Sequence, residues 1–169
     1  EQFDNVEYRL SANQNVVLAN VTDADKESIT ALLHEHGVKT EKQAGVLHAA
    51  AMSCPSMPTC GLGLAESERA LPGIMDSLEA VLAELGLADE EIIIRMTGCP
   101  NGCARPYLAE IGFVGRAPGK YSLYLGGNAG TTRLNQEYRA SVKVDEIVPV
   151  LRPLLTRWKN ERTGGERLG

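Results

Sequence analysis

The sequence predicts an α+β fold in which a mixed β-sheet is flanked by helices. Short apolar segments such as EIIIRMTG and KYSLYLGG indicate strands, whereas apolar residues at steps of three and four positions between Leu64 and Leu85 indicate helix. Helical and strand segments follow one another without a regular β-α-β alternation. This irregular order favours a mixed α+β arrangement.

The first part of the chain predicts two short strands and a helix. VEYRL at 6–10 and VVLANV at 16–21 are rich in β-branched and aromatic residues, and the polar SANQN separates them. We expect the helix to be capped by Thr22 or Asp23 and to end at Gly37. Residues 38–53 have a weak pattern, typical of a strand or a connector.

Pro72 divides the helical pattern that follows. Because an internal proline removes a backbone donor and clashes one turn back, we expect one helix to end near Leu71 and a second to carry Pro72 in its first turn. Three strands and a last helix complete the predicted layout. They are EIIIRMTG at 91–98, AEIGFVG at 109–115, KYSLYLGG at 120–127 after a turn at Pro118 and Gly119, and a helix from about Val144 to Glu161.

Composition limits the classes of function. The net charge of −5 argues against a non-specific nucleic-acid binder, which needs a surplus of Lys and Arg. No apolar run is long enough to cross a membrane and no signal sequence opens the chain, so we expect a cytoplasmic protein without a membrane partner. Because the chain opens on Glu1 instead of Met, we also expect it to be a piece of a longer protein.

The four cysteines occur as two close pairs. Cys54 and Cys60 lie in SCPSMPTCGLG, and Cys99 and Cys103 lie in MTGCPNGCARP, both of which are rich in Gly and Pro. Thiols stay reduced in the cytoplasm, so two such pairs favour a metal centre over disulfides.

Four interpretations of the pairs remain. Four buried thiols acting as small hydrophobes would explain single cysteines better than pairs in loops. A structural zinc site fits the Cys99 and Cys103 spacing, but the separation of Cys54 and Cys60 is wide for it. Disulfides would need an oxidising environment. An iron-sulfur cluster fits best, because it takes thiolates from separate short loops and gains from nearby backbone N–H groups.

Three segments resemble the C-terminal half of the siroheme-containing sulfite and nitrite reductases. They are SCPSMPTCGLGLAESERALP, IIIRMTGCPNGCARP and AEIGFVGRAPGKYSLYLGGN, and YRLSANQNVVLANV is similar to the strand that opens the second of the family's two related halves. The resemblance covers nearly the whole chain. It implies a partial ferredoxin-like half-domain at 1–45 and a 4Fe-4S and siroheme-binding domain at 46–169.

The resemblance also implies roles for individual residues. All four cysteines would ligate a 4Fe-4S cluster, and Cys103 would in addition bridge to the siroheme iron, which makes it the catalytic residue. Asn101, Asn13 and Gln14 would contact the cofactors. From the residues alone, a polar stretch such as Asn13, Gln14 and Asn15 between strands is most often a solvated turn.

The implied reaction is the six-electron reduction of sulfite to sulfide. The alternatives are reduction of nitrite to ammonia and a non-catalytic zinc or iron-sulfur module. The implied partners are the N-terminal half of the parent chain, an electron donor that is a flavoprotein subunit or a ferredoxin, and the substrate anion. Because the substrate-side cations come mostly from the absent half, we expect the isolated chain to be inactive.

Two departures from the family pattern concern the cofactor contacts. Gly102-Cys103-Ala104-Arg105-Pro106 stands where many relatives have Gly-Cys-Gly-Arg-Ala, and GGNAGTTR lacks an arginine directly after Gly-Gly-Asn, so Arg133 is a candidate replacement. Arg95 and Arg105 flank the second pair and are typical of surface pairing or of carboxylate binding. The three histidines have no metal spacing with the cysteines, and we interpret them as ordinary surface or helix residues; they are His34, His36 and His48.

Overall fold

The computed structural model describes residues 3–128, 130 and 132–169, and its fold is of the predicted α+β class. The strands are β1 (Glu7–Leu10), β2 (Val16–Ala19), β3 (Met52–Ser53), β4 (Ile94–Thr97), β5 (Ile111–Ala117), β6 (Lys120–Leu125) and β7 (Gln136–Lys143). The helices are α1 (Asp23–Glu35), α2 (Glu41–Ala44), α3 (Val46–Ala50), α4 (Leu71–Leu85) and α5 (Ile147–Glu161), with 3₁₀ turns at Pro106–Leu108 and Val144–Glu146. None of the helices in the described part of the chain is long and apolar enough to span a bilayer.

The larger sheet has the order β3-β4-β5-β6-β7 and is mixed, as predicted. β3, β4 and β5 run parallel, with Met52 opposite Arg95 and Ile94 opposite Ile111. β6 and β7 continue the sheet in antiparallel register. Because parallel strands point the same way, the segments that follow β3 and β4 leave the sheet at the same edge.

The main hydrophobic core lies between this sheet and the helices α4 and α5. Apolar residues recur along α4 at helical spacing, so one face of the helix covers the sheet. The largest side chains of this core are at most 2% exposed, and they include Met75, Leu78, Leu82, Met96, Phe113, Leu123, Leu151 and Leu155. The core therefore fixes the sheet from which the cysteine loops emerge.

β1 and β2 form a separate antiparallel hairpin, which confirms the two predicted strands. Its large apolar side chains face solvent: Tyr8 is 74% exposed, Leu10 84% and Val16 59%. Its tip is anchored on the rest of the protein by side-chain hydrogen bonds. The division of the chain at residues 45 and 46 stays a prediction.

Several local predictions are confirmed. Thr22 caps α1 by accepting a hydrogen bond from the backbone N–H of Asp25. Pro72 lies in the first turn of α4, where its missing N–H is not needed. Pro118 and Gly119 form the turn between β5 and β6, and Gly119 has a positive φ of 66°.

The helix predicted to end near Leu71 does not form. Residues 61–70 make turns and an isolated bridge between Ser56 and Glu66 instead. The backbone N–H groups of Leu64 and Ala65 both donate to the carbonyl of Gly98, 2.8 and 3.0 Å away, so tertiary hydrogen bonds replace those of a helix. The prediction was wrong because the apolar spacing carried no information about these distant acceptors.

Other differences concern the extent of elements. The strand predicted over residues 91–98 is limited to Ile94–Thr97, since the N–H of Ile93 donates to the side chain of Glu110. Residues 38–53 contain two short helices before β3. β7 was missed because it is an edge strand in which only Val142 is buried, so it lacks the apolar alternation of a core strand.

The C-terminal tail is fastened to the amino end of β5 by a buried carboxylate. Glu110 is 1% exposed and accepts two hydrogen bonds from Arg167, each 3.0 Å long. A cavity of about 370 Å³ lies beside this pair, lined by residues that include Leu125, Leu154 and Trp158. Because β4 and β5 are parallel, this cavity and the segment after β4 lie at opposite edges of the sheet.

Asn135 holds the turn that precedes β5. It is 7% exposed, and its amide nitrogen donates to the carbonyls of Pro106 and Ala109 at 2.7 and 2.9 Å. Its backbone N–H donates to the carbonyl of Tyr107 at 3.0 Å. One side chain thus donates to two buried carbonyls of this turn, and the carbonyl of Pro106 also accepts from the backbone N–H of Ala109 at 3.2 Å.

The first prediction concerns the contact between β5 and Gly98. A Cβ atom on Gly115 would lie 2.2 Å from the carbonyl oxygen of Gly98, so Gly115→Ala should lower the free energy of unfolding by about 1–3 kcal/mol through overpacking. Gly73→Ala is the control, because nothing lies within 4 Å of its added Cβ on α4. Since alanine favours helix, it should stabilise by up to about 1 kcal/mol. Urea unfolding of both variants measures the difference, and a Gly115→Ala protein as stable as the original contradicts the described packing.

The second prediction concerns Asn135. Asn135→Ala should cost about 1–3 kcal/mol, because two backbone carbonyls lose a buried donor. The exposed Asn160 on α5 is the matched control, and Asn160→Ala should change the free energy of unfolding by less than about 1 kcal/mol. Equal denaturation midpoints for the two variants would show that Asn135 does not hold the turn.

Candidate metal centre

The two cysteine pairs leave the sheet at neighbouring positions. Cys54 directly follows β3, and Cys99 lies two residues after the end of β4, its parallel neighbour. The backbone N–H of Cys54 donates to the carbonyl of Met96 at 3.2 Å. The topology of the sheet therefore brings together two loops that are separated by about forty residues of chain.

Gly98 is the point at which the two loops meet. Its backbone N–H donates to the sulfur of Cys54 at 3.3 Å. A Cβ at this position would lie 1.6 Å from Oγ of Ser56 and 2.4 Å from the carbonyl oxygen of Ala65. Only glycine allows this approach of backbone to sulfur, and a backbone donor is the kind of group that stabilises a thiolate.

The segment around Cys60 is tied to the same point. The N–H of Cys60 donates to the carbonyl of Ser56 at 2.7 Å, and the hydroxyl of Ser56 donates to the carbonyl of Ala65 at 2.6 Å. Farther along, the hydroxyl of Ser67 donates to the carbonyl of Met96 at 2.7 Å. Ser56 and Ser67 are both buried, so their hydrogen bonds hold the loop against β4.

Cys99 and Cys103 lie on a tight turn. The N–H of Gly102 donates to the carbonyl of Cys99 at 3.4 Å, and Gly102 has a positive φ of 69°. Directly after Cys103, Ala104 packs against Met52 and Cys54 in a small buried cluster. The turn thereby places Cys103 beside the loop that carries Cys54.

The exposure of the four cysteines is graded. Cys54 is buried, Cys60 and Cys99 are half-buried, and Cys103 is exposed, with none of them in a disulfide. Four buried thiols acting as hydrophobes do not match this gradient. Cys103 is the thiol that a second group could reach from outside.

The arrangement of the four cysteine sulfurs bears on whether they would ligate one zinc ion. No three of the four cysteine sulfurs, all in the described part of the chain, lie within 4.8 Å of one another. Two ligands of a single zinc ion, each about 2.3 Å from the metal, can be at most about 4.6 Å apart. In the described part of the chain the four sulfurs are therefore not gathered as three ligands of one zinc ion would be.

The tip of the β1-β2 hairpin lies against this region. The side-chain amide of Gln14 donates to the carbonyl of Ser53 at 2.7 Å and accepts from its N–H at 3.1 Å, as a neighbouring strand would. Asn15 donates to the carbonyl of Ala49 at 3.2 Å. Gln14 thus extends the edge of β3 next to Cys54. The sequence pattern did not indicate this structural role.

Two arginines lie on the same side of the sheet. The guanidinium of Arg105 donates to the carbonyl of Ala12 at 2.8 Å and to Oδ1 of Asn13 at 3.5 Å, which connects the hairpin tip to the segment after Cys103. Arg95 is buried at 7% exposure beneath that segment. Burial and then the charge of Arg105 lower the pKa of Arg95 from its usual value.

Other predicted site residues lie in different settings. Asn101 is exposed on the Cys99 turn and so can reach a bound group. Arg133 is exposed and donates to the carbonyl of Gly126 at 2.8 Å. Nε2 of His48 lies 3.1 Å from Oδ1 of Asp76 on α4. The cofactor-binding roles of Asn13, Gln14 and Asn101 stay predictions.

Sequence reasoning missed Asn135, Ser56 and Ser67. All three are buried polar residues that bind backbone carbonyls of the loops around the cysteines or of the turn that follows them. Small polar residues at irregular spacing give no periodic signal, so only their proximity to the cysteines could have indicated a role.

Comparisons with known proteins agree with this geometry. The family model described as the nitrite and sulphite reductase 4Fe-4S domain matches residues 48–169. The chain is 50% identical over 163 residues to the sulfite reductase [NADPH] hemoprotein beta-component of a Paenibacillus species and 49% identical to that of Bacillus subtilis. Each match covers 96% of this chain and 28% of the relative, so the chain spans just over a quarter of the length of these proteins.

A solved structure has the same fold. The structure of the Mycobacterium tuberculosis NirA protein superposes with a TM-score of 0.81 at 25% sequence identity, and the match covers 95% of this chain and 31% of that protein. The mixed sheet and flanking helices are therefore shared over nearly the whole chain. Together with the matching family model, this likeness shows that the chain belongs to the nitrite and sulphite reductase 4Fe-4S domain family.

Proposed function

We propose that this chain is the cluster-ligating part of a siroheme-dependent sulfite reductase. In this proposal Cys54, Cys60, Cys99 and Cys103 ligate a 4Fe-4S cluster, and Cys103 also bridges to the siroheme iron. The observation that carries the proposal is the meeting of the two cysteine loops at Gly98, after neighbouring parallel strands.

The surroundings of the sulfurs support cluster binding. Cys54 already accepts a backbone N–H, and backbone donors to cluster ligands are one of the ways in which a protein sets the reduction potential. No three sulfurs in the described part of the chain are gathered as ligands of one zinc ion would be. These two features favour the cluster over the non-catalytic zinc module.

The exposure of Cys103 supports its bridging role. A thiolate shared by two metal centres needs one side facing the cluster and the other facing the second cofactor, and Cys103 is the exposed member of the four. When bound, the cluster and siroheme would relay to sulfite the six electrons that an external donor delivers in successive steps. The chain itself would hold the bridging thiol in place through the Gly102 turn and the packing of Ala104.

The hairpin tip would close the site on one side. Gln14 fixes the tip to the edge of β3, and Arg105 fixes it to the segment after Cys103. Asn13 and Asn101 are both exposed, so their side-chain amides would be available as donors to a cofactor with several carboxylates.

Apolar exposure supports a partner within a longer protein. Tyr8 and Leu10 on the hairpin are exposed, and so are Leu62 at 66% and Leu64 at 42% beside Cys60. Large apolar side chains exposed in this way are typical of an interface. We assign it to the N-terminal half of the parent protein, with the domain boundary near residue 45.

A flavoprotein subunit or a ferredoxin would deliver the electrons to the assembled protein.

Sulfite is preferred over nitrite as the substrate because the relatives of about 50% identity are named as sulfite reductases. Reduction of nitrite to ammonia is the second candidate, since the matching family model includes both activities by name.

The third prediction is the metal content. Protein purified without oxygen should contain about four irons and four acid-labile sulfides per chain and little zinc. Cys54→Ser should lose most of this iron, because a buried ligand is removed. Thr59→Ala, at an exposed position next to Cys60, should keep it. Zinc without sulfide in the unsubstituted protein would overturn the cluster assignment.

The fourth prediction concerns activity. Supplied with siroheme and reduced methyl viologen, the isolated 169-residue chain should reduce sulfite at a negligible rate, because we expect the substrate-side cations to come from the other half of the parent protein. The intact Bacillus subtilis hemoprotein component is the positive control. A rate for the isolated chain close to that of the control would show that the site is complete without a partner.

A further inference from the structure

Arg95 is a buried cation with incomplete hydrogen bonding. It lies in the middle of β4 and is 7% exposed. Its Nε atom is buried and has no hydrogen-bond partner, and its Nη1 contact with the carbonyl of Arg105 is 3.5 Å long. A buried guanidinium with so few acceptors is costly unless a negative charge lies close enough to compensate it.

Protein carboxylates do not supply that charge. Within the described ranges, no Asp or Glu side chain lies within 4.0 Å of the guanidinium of Arg95 or of Arg105. Burial, and after it the positive charge of the neighbouring Arg105, lower the pKa of Arg95. Arginine keeps its proton in proteins, so the deficit cannot be relieved by deprotonation.

The register of the sheet places Arg95 on the cysteine side. Ile94 and Met96 point into the main core, so Arg95 between them projects from the opposite face. Met52 is its register partner on β3, and Met52 packs with Cys54 and Ala104. The charge therefore sits beneath the two loops that carry the cysteines.

We propose that Arg95 is the internal counter-charge of the cysteine-ligated cluster, an inference that rests on the proposed function. Four thiolates carry more negative charge than the iron-sulfur core offsets, and reduction adds a further electron. A buried cation stabilises the reduced cluster more than the oxidised one. Arg95 thereby raises the reduction potential of the cluster and favours its retention.

The test compares charge at this position with charge elsewhere. Arg95→Gln removes the cation, Arg95→Lys keeps it, and Arg139→Gln removes an exposed cation on β7, three strands and about 14 Å away across the sheet. Each protein is produced at its full natural length and purified without oxygen. Iron and sulfide are assayed, and the potential of the cluster is measured by a redox titration followed by electron paramagnetic resonance.

We expect the potential to shift downward in Arg95→Gln, to stay near the original value in Arg95→Lys, and to move little in Arg139→Gln. Loss of the cluster in Arg95→Gln with retention in Arg95→Lys would also support the proposal, since Lys restores the positive charge without restoring the guanidinium group. An unchanged potential in Arg95→Gln, a shift equal to that of Arg139→Gln, or loss of the cluster in both Arg95 variants would overturn it. A zinc-loaded or sulfide-free unsubstituted protein would refute the proposed function itself, which is a distinguishable result.

Discussion

The close approach of two loops at Gly98 is the constraint on which the rest of the site depends. A side chain there would collide with Ser56 and with the backbone of Ala65, and a side chain on Gly115 would collide with the carbonyl of Gly98 from the other direction. The backbone at Gly98 is in close contact with the backbone at Ala65 on one side and at Gly115 on the other. Only because this contact is so short can the N–H of Gly98 reach the sulfur of Cys54.

The same constraint explains the unusual segment from Gly61 to Ala70. Its sequence favours helix, yet its N–H groups donate to Gly98 and its Ser67 hydroxyl donates to Met96. Two hydrogen bonds from adjacent residues to one carbonyl are incompatible with helical bonding in that stretch. In this segment, tertiary hydrogen bonds that hold the Cys60 loop against β4 override the local preference for helix. Such conflicts between local preference and tertiary structure are typical of functional sites.

The two edges of the larger sheet differ in how their buried charges are paired and in how much apolar surface lies near them. The amino edge of the sheet is complete, because the buried carboxylate of Glu110 is matched by Arg167. At the opposite edge Arg95 has no carboxylate partner in the described part of the chain, Cys103 is exposed, and the hairpin presents Tyr8 and Leu10 to solvent. A negatively charged cofactor would compensate the charge of Arg95, and an apolar partner surface would cover Tyr8 and Leu10.

The sequence by itself determined the α+β class, most helices and strands, and the four cysteines as one set of candidate ligands, because periodicity, turn residues and paired thiols are local signals. The motif around Cys99 was specific enough to indicate the family. Tertiary structure alone decided that residues 61–70 are not helical and that Gln14 pairs with the edge of β3. It also decided that Asn135 supports the turn before β5 and that Arg95 is buried without a counter-charge. Each of these depends on groups brought together from distant parts of the chain, and no pattern of neighbouring residues records such contacts.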